Sequence, residues 1–228
     1  MHILIVLTSH DRLGDSGSKT GSGLEEFCAA YYVFRDAGAE VTLASPAGGQ
    51  PPIDPQSDGS DDQSETVRRF KGDQAARTEL ADTLALDQVA PEDFDAVFYV
   101  GGHGAMWDLP EDRISQAVIA AVHAAGRPLA LVGHGPAALR HVVDAGGRPL
   151  VEGRRVTASA NSEEEAMGFT ESLPFLVQDE LVRLGGLYSK GLDGISYTVR
   201  DGALITGQNR DSAADAANAV VEILRRSE

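Results

Sequence analysis

The stretch Pro128–Leu139, with the sequence PLALVGHGPAAL, decides how the rest of the chain is interpreted. An apolar run of strand length stops at a turn of small residues, and a segment compatible with a helix follows. This is the pattern of a nucleophile elbow, a sharp turn that lifts one reactive side chain above a parallel sheet. The tip of the predicted turn is Gly133, with His134 next to it. The sequence therefore predicts an active-site position that carries no side-chain nucleophile.

Strand-length apolar runs alternate with helix-compatible segments along most of the chain, which predicts a mainly parallel sheet covered on both faces. The predicted strands are residues 2–7, 40–45, 94–100, 128–132, 154–159, 195–200 and 203–206. The predicted helices are residues 24–37, 75–85, 114–125, 174–184 and 212–226. Asp201-Gly202 predicts a late hairpin, which makes the sheet mixed. The long acidic segment Pro46–Glu65 is expected to be a surface excursion with a functional or capping role.

Composition limits the class of protein. The 228 residues contain no Pro/Ser-rich linker, so we expect one α/β domain over residues 1–228. A net charge of −16 disfavours nucleic acid as a partner, and the apolar runs are too short to span a membrane. The apolar N-terminus is expected to be a strand rather than a signal peptide. Cys28, the single cysteine, excludes an internal disulfide and fits a reducing cytoplasm, where we expect the protein to act.

Polar side chains follow several predicted strands, at the sheet edge where α/β proteins bind ligands. His134 can act as a general base near neutral pH, and a carboxylate from Glu163 or Glu164 can orient it. Glu26 can be a second acid or base if burial raises its pKa. Each has a structural alternative, since a histidine after a strand often only hydrogen-bonds a carbonyl, and acidic residues favour the first turn of a helix.

The turn Gly101–Gly104, with the sequence GGHG, offers backbone N–H groups to a developing oxyanion, although its glycines can equally be turn residues. Trp107 is expected to be either a lid or a core anchor. Phosphate-binding glycine motifs are absent at usable positions, so we expect no nucleotide cofactor. The spacing of His10, His103 and His134 matches no metal-ligand motif, and we expect no metal.

The chain also resembles a known family, the ThiJ/PfpI superfamily, whose members are related to class I glutamine amidotransferases. Its branch of holding chaperones and glyoxalase III-type enzymes is the most similar. The resemblance extends over nearly the whole chain and is carried by residues 5–10, 24–27, 44–55, 101–104, 107–109, 134–137, 163–165 and 204–209. It implies a flavodoxin-like, three-layer α/β sandwich, a small-molecule substrate or ligand, and a homodimer.

The resemblance also implies a site. The family's elbow cysteine falls on Gly133, its histidine on His134, and its acidic third member on Glu164, with Glu163 as the near alternative. The carboxylate that hydrogen-bonds the family's cysteine falls on Glu26. The other residues expected at the oxyanion site or pocket are Gly101, Gly102, His103, Gly135, Gly23, Trp107 and His10.

Four positions depart from the family's pattern. Gly133 replaces cysteine, Gly23 and Gly194 replace tryptophan, and Ala30 replaces proline. Catalysis through a cysteine, including hemithioacetal formation with a dicarbonyl, cannot occur at residue 133. The chain can have decayed into a non-enzymatic protein, carry an engineered Cys-to-Gly change, or have been repurposed with a wider pocket.

Loss of bulk with retention of the polar groups favours the third explanation. It predicts a cofactor-independent hydrolase or lyase in which His134 and Glu26 perform acid–base chemistry on a bulky small molecule, such as a natural-product intermediate. The alternative is a non-catalytic binding protein or holding chaperone. Glyoxalase III-type activity ranks third because the cysteine is missing.

Overall fold

The computed structural model describes residues 1–58 and 64–227. Its strands are β1 (His2–Val6), β2 (Glu40–Ser45), β3 (Leu84–Ala85), β4 (Ala96–Tyr99), β5 (Leu129–Val132), β6 (Arg155–Val156), β7 (Leu187–Tyr188), β8 (Thr198–Asp201) and β9 (Leu204–Gly207). Seven of them form one sheet in the order β3-β2-β1-β4-β5-β9-β8. All pairs in this sheet are parallel except β8 with β9, which confirms the mixed sheet and the late hairpin.

Helices cover both faces of this sheet. They are α1 (Leu24–Asp36), α2 (Pro55–Asp58), α3 (Glu65–Gly72), α4 (Gln74–Ala81), α5 (Arg113–Ala124), α6 (Asn161–Met167), α7 (Val177–Arg183) and α8 (Ala213–Ser227). Alternate residues of β1 enter two different cores: Ile3 and Ile5 pack with α1, α3, α4 and α8, while Leu4 and Val6 pack with α5 and α7. A strand buried on both faces needs an unbroken apolar run, so the three-layer α/β sandwich is confirmed together with the reason for its sequence pattern.

Several predicted elements are shorter than expected, among them those over residues 154–159 and 174–184. The strand predicted over residues 154–159 pairs only at Arg155–Val156, in a separate two-stranded sheet with β7. Beyond that point, the Thr157 N–H donates to the Thr206 hydroxyl and the Ser159 N–H donates to the Gly133 carbonyl. The segment therefore bonds to β9 and to the elbow without forming a β-ladder. The helix predicted from Pro174 begins at Val177, because the backbone at Leu176 is still extended.

The prediction of a surface excursion over Pro46–Glu65 is wrong for its middle part. Ile53 forms a parallel bridge with Ser22, and Asp54 is buried. The Asp54 carboxylate accepts hydrogen bonds from the Thr20 hydroxyl and the Gln56 N–H, both at 2.9 Å, which draws the segment inward. Residues 59–63 of this segment lie outside the described residues.

The strand order indicates where a ligand crevice lies on the sheet. The chain continues from β1 to β2 on one side of the sheet and from β4 to β5 on the other, so β1 and β4 form a topological switch point. The loops after β1, β4 and β5 and the start of α1 meet there. In the part of the chain that the structure describes, no helix is long and apolar enough to cross a membrane.

Candidate active site

The predicted elbow is present at the end of β5. Gly133 has a φ of +56°, a left-handed conformation that favours glycine, and a short 3₁₀ turn follows from Gly135 to Leu139. The turn is fixed from both sides, because the Gly133 N–H donates to the Gly207 carbonyl and the Gly133 carbonyl accepts from Ser159. Residue 133 is therefore held rigidly at the mouth of the crevice.

The Glu26 carboxyl lies where side chains at neighbouring positions would begin. A Cβ atom added to Gly133 or to Gly23 would overlap a Glu26 carboxyl oxygen, and a Cβ on Gly101 would lie 2.7 Å from Oε1. The expectation that glycines hollow out the pocket is therefore wrong at residues 23 and 133, where the carboxyl takes the space. At Gly194 no atom of the described residues, apart from its two chain neighbours, lies within 4 Å of the added Cβ, so that position is open.

Glu26 is an acid in the protonated form at neutral pH. Its side chain comes from the first turn of α1, is 4% exposed, and accepts no hydrogen bond within residues 1–58 and 64–227. Burial raises the pKa of Glu26 to about 8, and the charge of His103 opposes this only in part. A neutral carboxyl can donate a proton to a substrate oxygen.

His134 is held by Glu164, from the first turn of α6. The His134 Nε2 lies 2.5 Å from Glu164 Oε1, and the Ser159 hydroxyl donates to the same oxygen at 2.5 Å. Burial favours a raised Glu164 pKa, but the hydrogen bonds from His134 and His103 and the positive charge of His103 lower it well below its usual range. Burial and the charge of His103 lower the pKa of His134, so its imidazole is neutral and donates from Nε2. The other nitrogen, Nδ1, is the acceptor available for catalysis.

Glu163 has a different task from Glu164. Its Oε1 accepts from the Gly194 N–H at 3.0 Å and from the Asn209 amide at 2.8 Å, while Oε2 accepts from the Ala160 N–H. The side chain therefore ties the loop around Gly194 to α6 and does not contact His134. Of the two candidates, Glu164 is the residue beside the histidine.

The His103 side chain lies inside the site, between His134, Glu164 and Asp54, in addition to belonging to the predicted oxyanion turn. Its ring centroid is 4.1 Å from that of His134, its Nε2 is 3.1 Å from Glu164 Oε2, and its Nδ1 is 3.8 Å from Asp54 Oδ2. Burial opposes protonation, but the two carboxylates raise the pKa of His103 to about 9. Asp54 was missed as a site residue, because only the inward course of its segment brings it to the histidine.

Backbone donors suited to an oxyanion lie beside these groups. In the described chain the N–H groups of Gly102 and His134 donate no hydrogen bond. Gly102 has a φ of +99° and packs directly on the Gly21 carbonyl, so a side chain cannot be placed there. Gly135 packs on the Tyr99 carbonyl beneath the turn rather than in the cavity.

The expected pocket residues His10 and Trp107 also lie outside the cavity. The rings of His10 and Trp107 stack on each other, with centroids 5.0 Å apart and an interplanar angle of 10°. The His10 Nε2 bonds the Arg12 carbonyl at 2.6 Å, and Trp107 packs against the core beside α5. Neither side chain lines the cavity, so Trp107 is a core anchor rather than a lid.

The cavity above the elbow has a volume of about 510 Å³. Its lining includes the expected residues Gly23, Glu26, Gly102, His103, Gly133 and His134. Asp54 and Gly194 also line it. A protonated acid, Glu26, and a neutral base, His134, therefore face one cavity next to residue 133.

Within the described residues, His103, His134 and Glu164 form a group of side chains that could hold a metal ion. Ligand atoms of His103, His134 and Glu164 all lie within 4.8 Å of one another, and His10 is not among them. These atoms already share protons in hydrogen bonds, which a metal ion would have to displace. We assign no metal to the group.

Comparison with known proteins identifies the family. Residues 19–223 match the model of the DJ-1/PfpI family. The chain belongs to the DJ-1/PfpI family. Over 98% of both chains it is 30% identical to the glutathione-independent glyoxalase HSP31 of Saccharomyces cerevisiae.

Solved structures agree with this assignment across the whole fold. The X-ray structure of the Rapid Encystment Protein 24 KDa of Francisella tularensis has a TM-score of 0.93 and 34% identity, with 98% of each chain covered. The crystal structure of glyoxalase III from Candida albicans has a TM-score of 0.88 and 27% identity, covering 97% of this chain and 96% of that one.

These relatives correct the functional expectation. The curated relatives from S. cerevisiae, C. albicans and Schizosaccharomyces pombe are named as glyoxalases. The prediction of a hydrolase or lyase for a bulky natural-product intermediate is therefore wrong. It gave the missing thiol at residue 133 more weight than the acid–base groups around it, and so ranked glyoxalase activity last.

Proposed function

We propose that this protein catalyses the glutathione-independent glyoxalase reaction, in which a small 2-oxoaldehyde and water give a 2-hydroxy acid. The observation that carries the proposal is the position of the protonated Glu26 carboxyl, at the point where a side chain on Gly133 would begin. Neutral His134 faces the same cavity. A water molecule in the cavity beside the Glu26 carboxyl takes the role of the thiol nucleophile.

Water adds first to the aldehyde carbon. His134 Nδ1 takes a proton from the attacking water, and the Glu26 carboxyl donates its proton to the aldehyde oxygen, which gives a geminal diol. The free N–H groups of Gly102 and His134 are suited to stabilise the developing negative charge. This step leaves Glu26 ionised and His134 protonated.

Hydrogen is then transferred from C1 to C2. The Glu26 carboxylate removes the C1 proton, the electron pair forms a C1=C2 double bond, and His134 protonates the C2 oxygen. Glu26 returns its proton to C2 while His134 takes one from a C1 hydroxyl, which forms the carboxylic acid. C1 is oxidised and C2 reduced within one molecule, so no external oxidant is required, and solvent returns the proton from His134 to Glu26.

The test is incubation of the purified protein with methylglyoxal in D₂O, without glutathione, with lactate followed by NMR. We expect lactate that carries deuterium at C2, because the proton passes through an exchangeable carboxyl. Glu26→Gln should lower turnover by about 10²–10⁴-fold. The control is Glu165→Gln, since Glu165 is exposed on α6. The proposal is refuted if the wild-type protein forms no more lactate than Glu26→Gln.

The expected assembly belongs to the same proposal: one unit over residues 1–228, acting in the cytoplasm as a homodimer on a small-molecule substrate. Family membership and the cavity lined by acid and base groups support the small-molecule substrate. Light scattering of the purified protein tests the dimer.

A further inference from the structure

The reaction above leaves two buried groups without a task. His103 and Asp54 both line the cavity, yet neither takes part in the proton transfers. Asp54 comes from the inward-turning part of the acidic segment 46–58. Burying a carboxylate or a charged imidazole costs free energy unless a partner compensates it. The burial of Asp54 next to His103 therefore requires an explanation.

We propose that His103 is a positioning residue, protonated at neutral pH and held between Asp54 and Glu164, that keeps Glu164 ionised and aimed at His134. The inference rests on the proposed function for its catalytic meaning. The site then contains a linear chain of alternating carboxylates and imidazoles: Asp54, His103, Glu164 and His134.

The Asp54 carboxylate is buried and held in place by hydrogen bonds. The side chain is 8% exposed, and hydrogen bonds from Thr20 to Oδ2 and from Gln56 to Oδ1 fix both oxygens. Oδ2 also faces His103 Nδ1 at 3.8 Å, within ion-pair distance. Asp54 therefore presents a fixed negative charge to one side of the His103 ring.

Glu164 presents a second negative charge to the other side of that ring, where its Oε2 lies 3.1 Å from Nε2. The contact to Glu164 is a hydrogen bond, and the contact to Asp54 is an ion-pair distance without a hydrogen bond, so His103 has one hydrogen-bonded carboxylate and a second negative charge nearby. Phe169 packs edge-on against the ring, with centroids 5.0 Å apart, and helps to exclude water. Two negative charges on opposite sides of one buried ring therefore favour the protonated form.

The positive charge of His103 acts on His134. The two ring centroids are 4.1 Å apart, so a proton on His103 disfavours a second proton on His134. An ionised Glu164 is an acceptor only, so it fixes the His134 tautomer with the proton on Nε2. Glu26 lines the same cavity, and the charge of His103 favours its ionisation. The result is a base that stays available at lower pH.

The test is NMR of the histidine ring nitrogens in the ¹⁵N-labelled full chain, titrated from pH 5 to 9. We expect doubly protonated His103 and singly protonated His134 at pH 7. In His103→Gln the midpoint for His134 should rise by at least one pH unit, and in Asp54→Asn the midpoint for His103 should fall. His141→Gln and Asp82→Asn are matched controls, because both residues are exposed and outside the cavity.

A neutral His103 at pH 7 in the wild-type spectrum overturns the inference, and this measurement needs no variant to fold. An unchanged His134 midpoint in folded His103→Gln also overturns it. Protonation as expected in a protein without methylglyoxal turnover refutes the proposed function and leaves the positioning role intact. In an active protein, His103→Gln should move the acid limb of the pH–rate profile upward by the same amount, a change that a merely structural role would not cause.

Discussion

Replacing Glu26 with glutamine should stabilise the protein while it removes activity. Glutamine keeps the shape of the side chain between Gly23, Gly101 and Gly133 but cannot ionise. The native carboxyl is buried and accepts no hydrogen bond within the described residues, so its ionised form is poorly tolerated in the folded state. Function and stability therefore oppose each other at this residue.

The size of the effect follows from the pKa of Glu26, which rises from 4.5 to about 8 on folding. Below pH 4.5 both states hold the proton, and ionisation has no effect on stability. Between pH 4.5 and 8 only the unfolded state releases it, so the folded protein loses about 1.4 kcal/mol of unfolding free energy per pH unit. The loss reaches about 3 kcal/mol at pH 7 and about 5 kcal/mol above pH 8.

Urea unfolding of the wild type and Glu26→Gln at pH 5, 7 and 8.5 measures this directly. The advantage of the variant should grow by about 4 kcal/mol from pH 5 to pH 8.5. Any difference in packing between the amide and the carboxyl adds a constant, which the pH dependence separates. Glu165→Gln is the control and should show no such growth, because Glu165 is exposed. A difference that is the same at pH 5 and pH 8.5 would refute a raised pKa for Glu26, and with it the acid in the mechanism.

Three further changes have definite expected outcomes. Gly133→Cys places a thiol against Glu26, so this variant should react with iodoacetamide and turn over methylglyoxal faster than Gly133→Ala, which adds only the Cβ. Equal rates for the two variants would contradict the assignment of residue 133 as the nucleophile position. Glu164→Gln replaces one of the two carboxylate oxygens that accept from two histidines and a serine with an NH₂ donor and removes the charge, and urea unfolding should show a loss of about 2–4 kcal/mol. Because the Glu164 pKa is lowered on folding, that loss should be present above pH 4.5 and shrink on acidification, while Glu165→Gln should show neither effect. Asp112→Ala removes the N-cap bond of α5 to the Ser115 N–H and should cost about 1 kcal/mol in the same assay, with Asp112→Asn largely neutral.

Local sequence patterns predicted the mixed, mainly parallel sheet covered on both faces, although they did not predict helix α3. The continuous apolar runs of β1, β4 and β5 predicted strands buried on both faces, and Asp201-Gly202 predicted the hairpin that makes the sheet mixed. These features depend on residues close together in the chain, whose periodicity is visible without contacts. The elements predicted less well, at residues 154–159 and 174–184, are those whose backbone bonds distant segments or is set by irregular turns.

The sequence also determined the main chemical fact of the site, a glycine at the elbow with a histidine beside it. It supplied Glu26, His103 and Glu164 as candidates, because parallel strands end at one edge of the sheet. Which atoms meet was not encoded locally. Only the tertiary structure placed the Glu26 carboxyl in the space above Gly133, so that position is occupied by an acid rather than empty.

Tertiary contacts likewise separated Glu164 from Glu163 and brought Asp54 to His103. Adjacent residues in a helix differ by about 100° in direction, so one glutamate faces the histidines and the other ties down a loop. Protonation also depends on contacts between distant residues: burial keeps Glu26 neutral, and two carboxylates keep His103 charged. The sequence by itself determined which groups are present, and the folded structure decided their charges and therefore their chemistry.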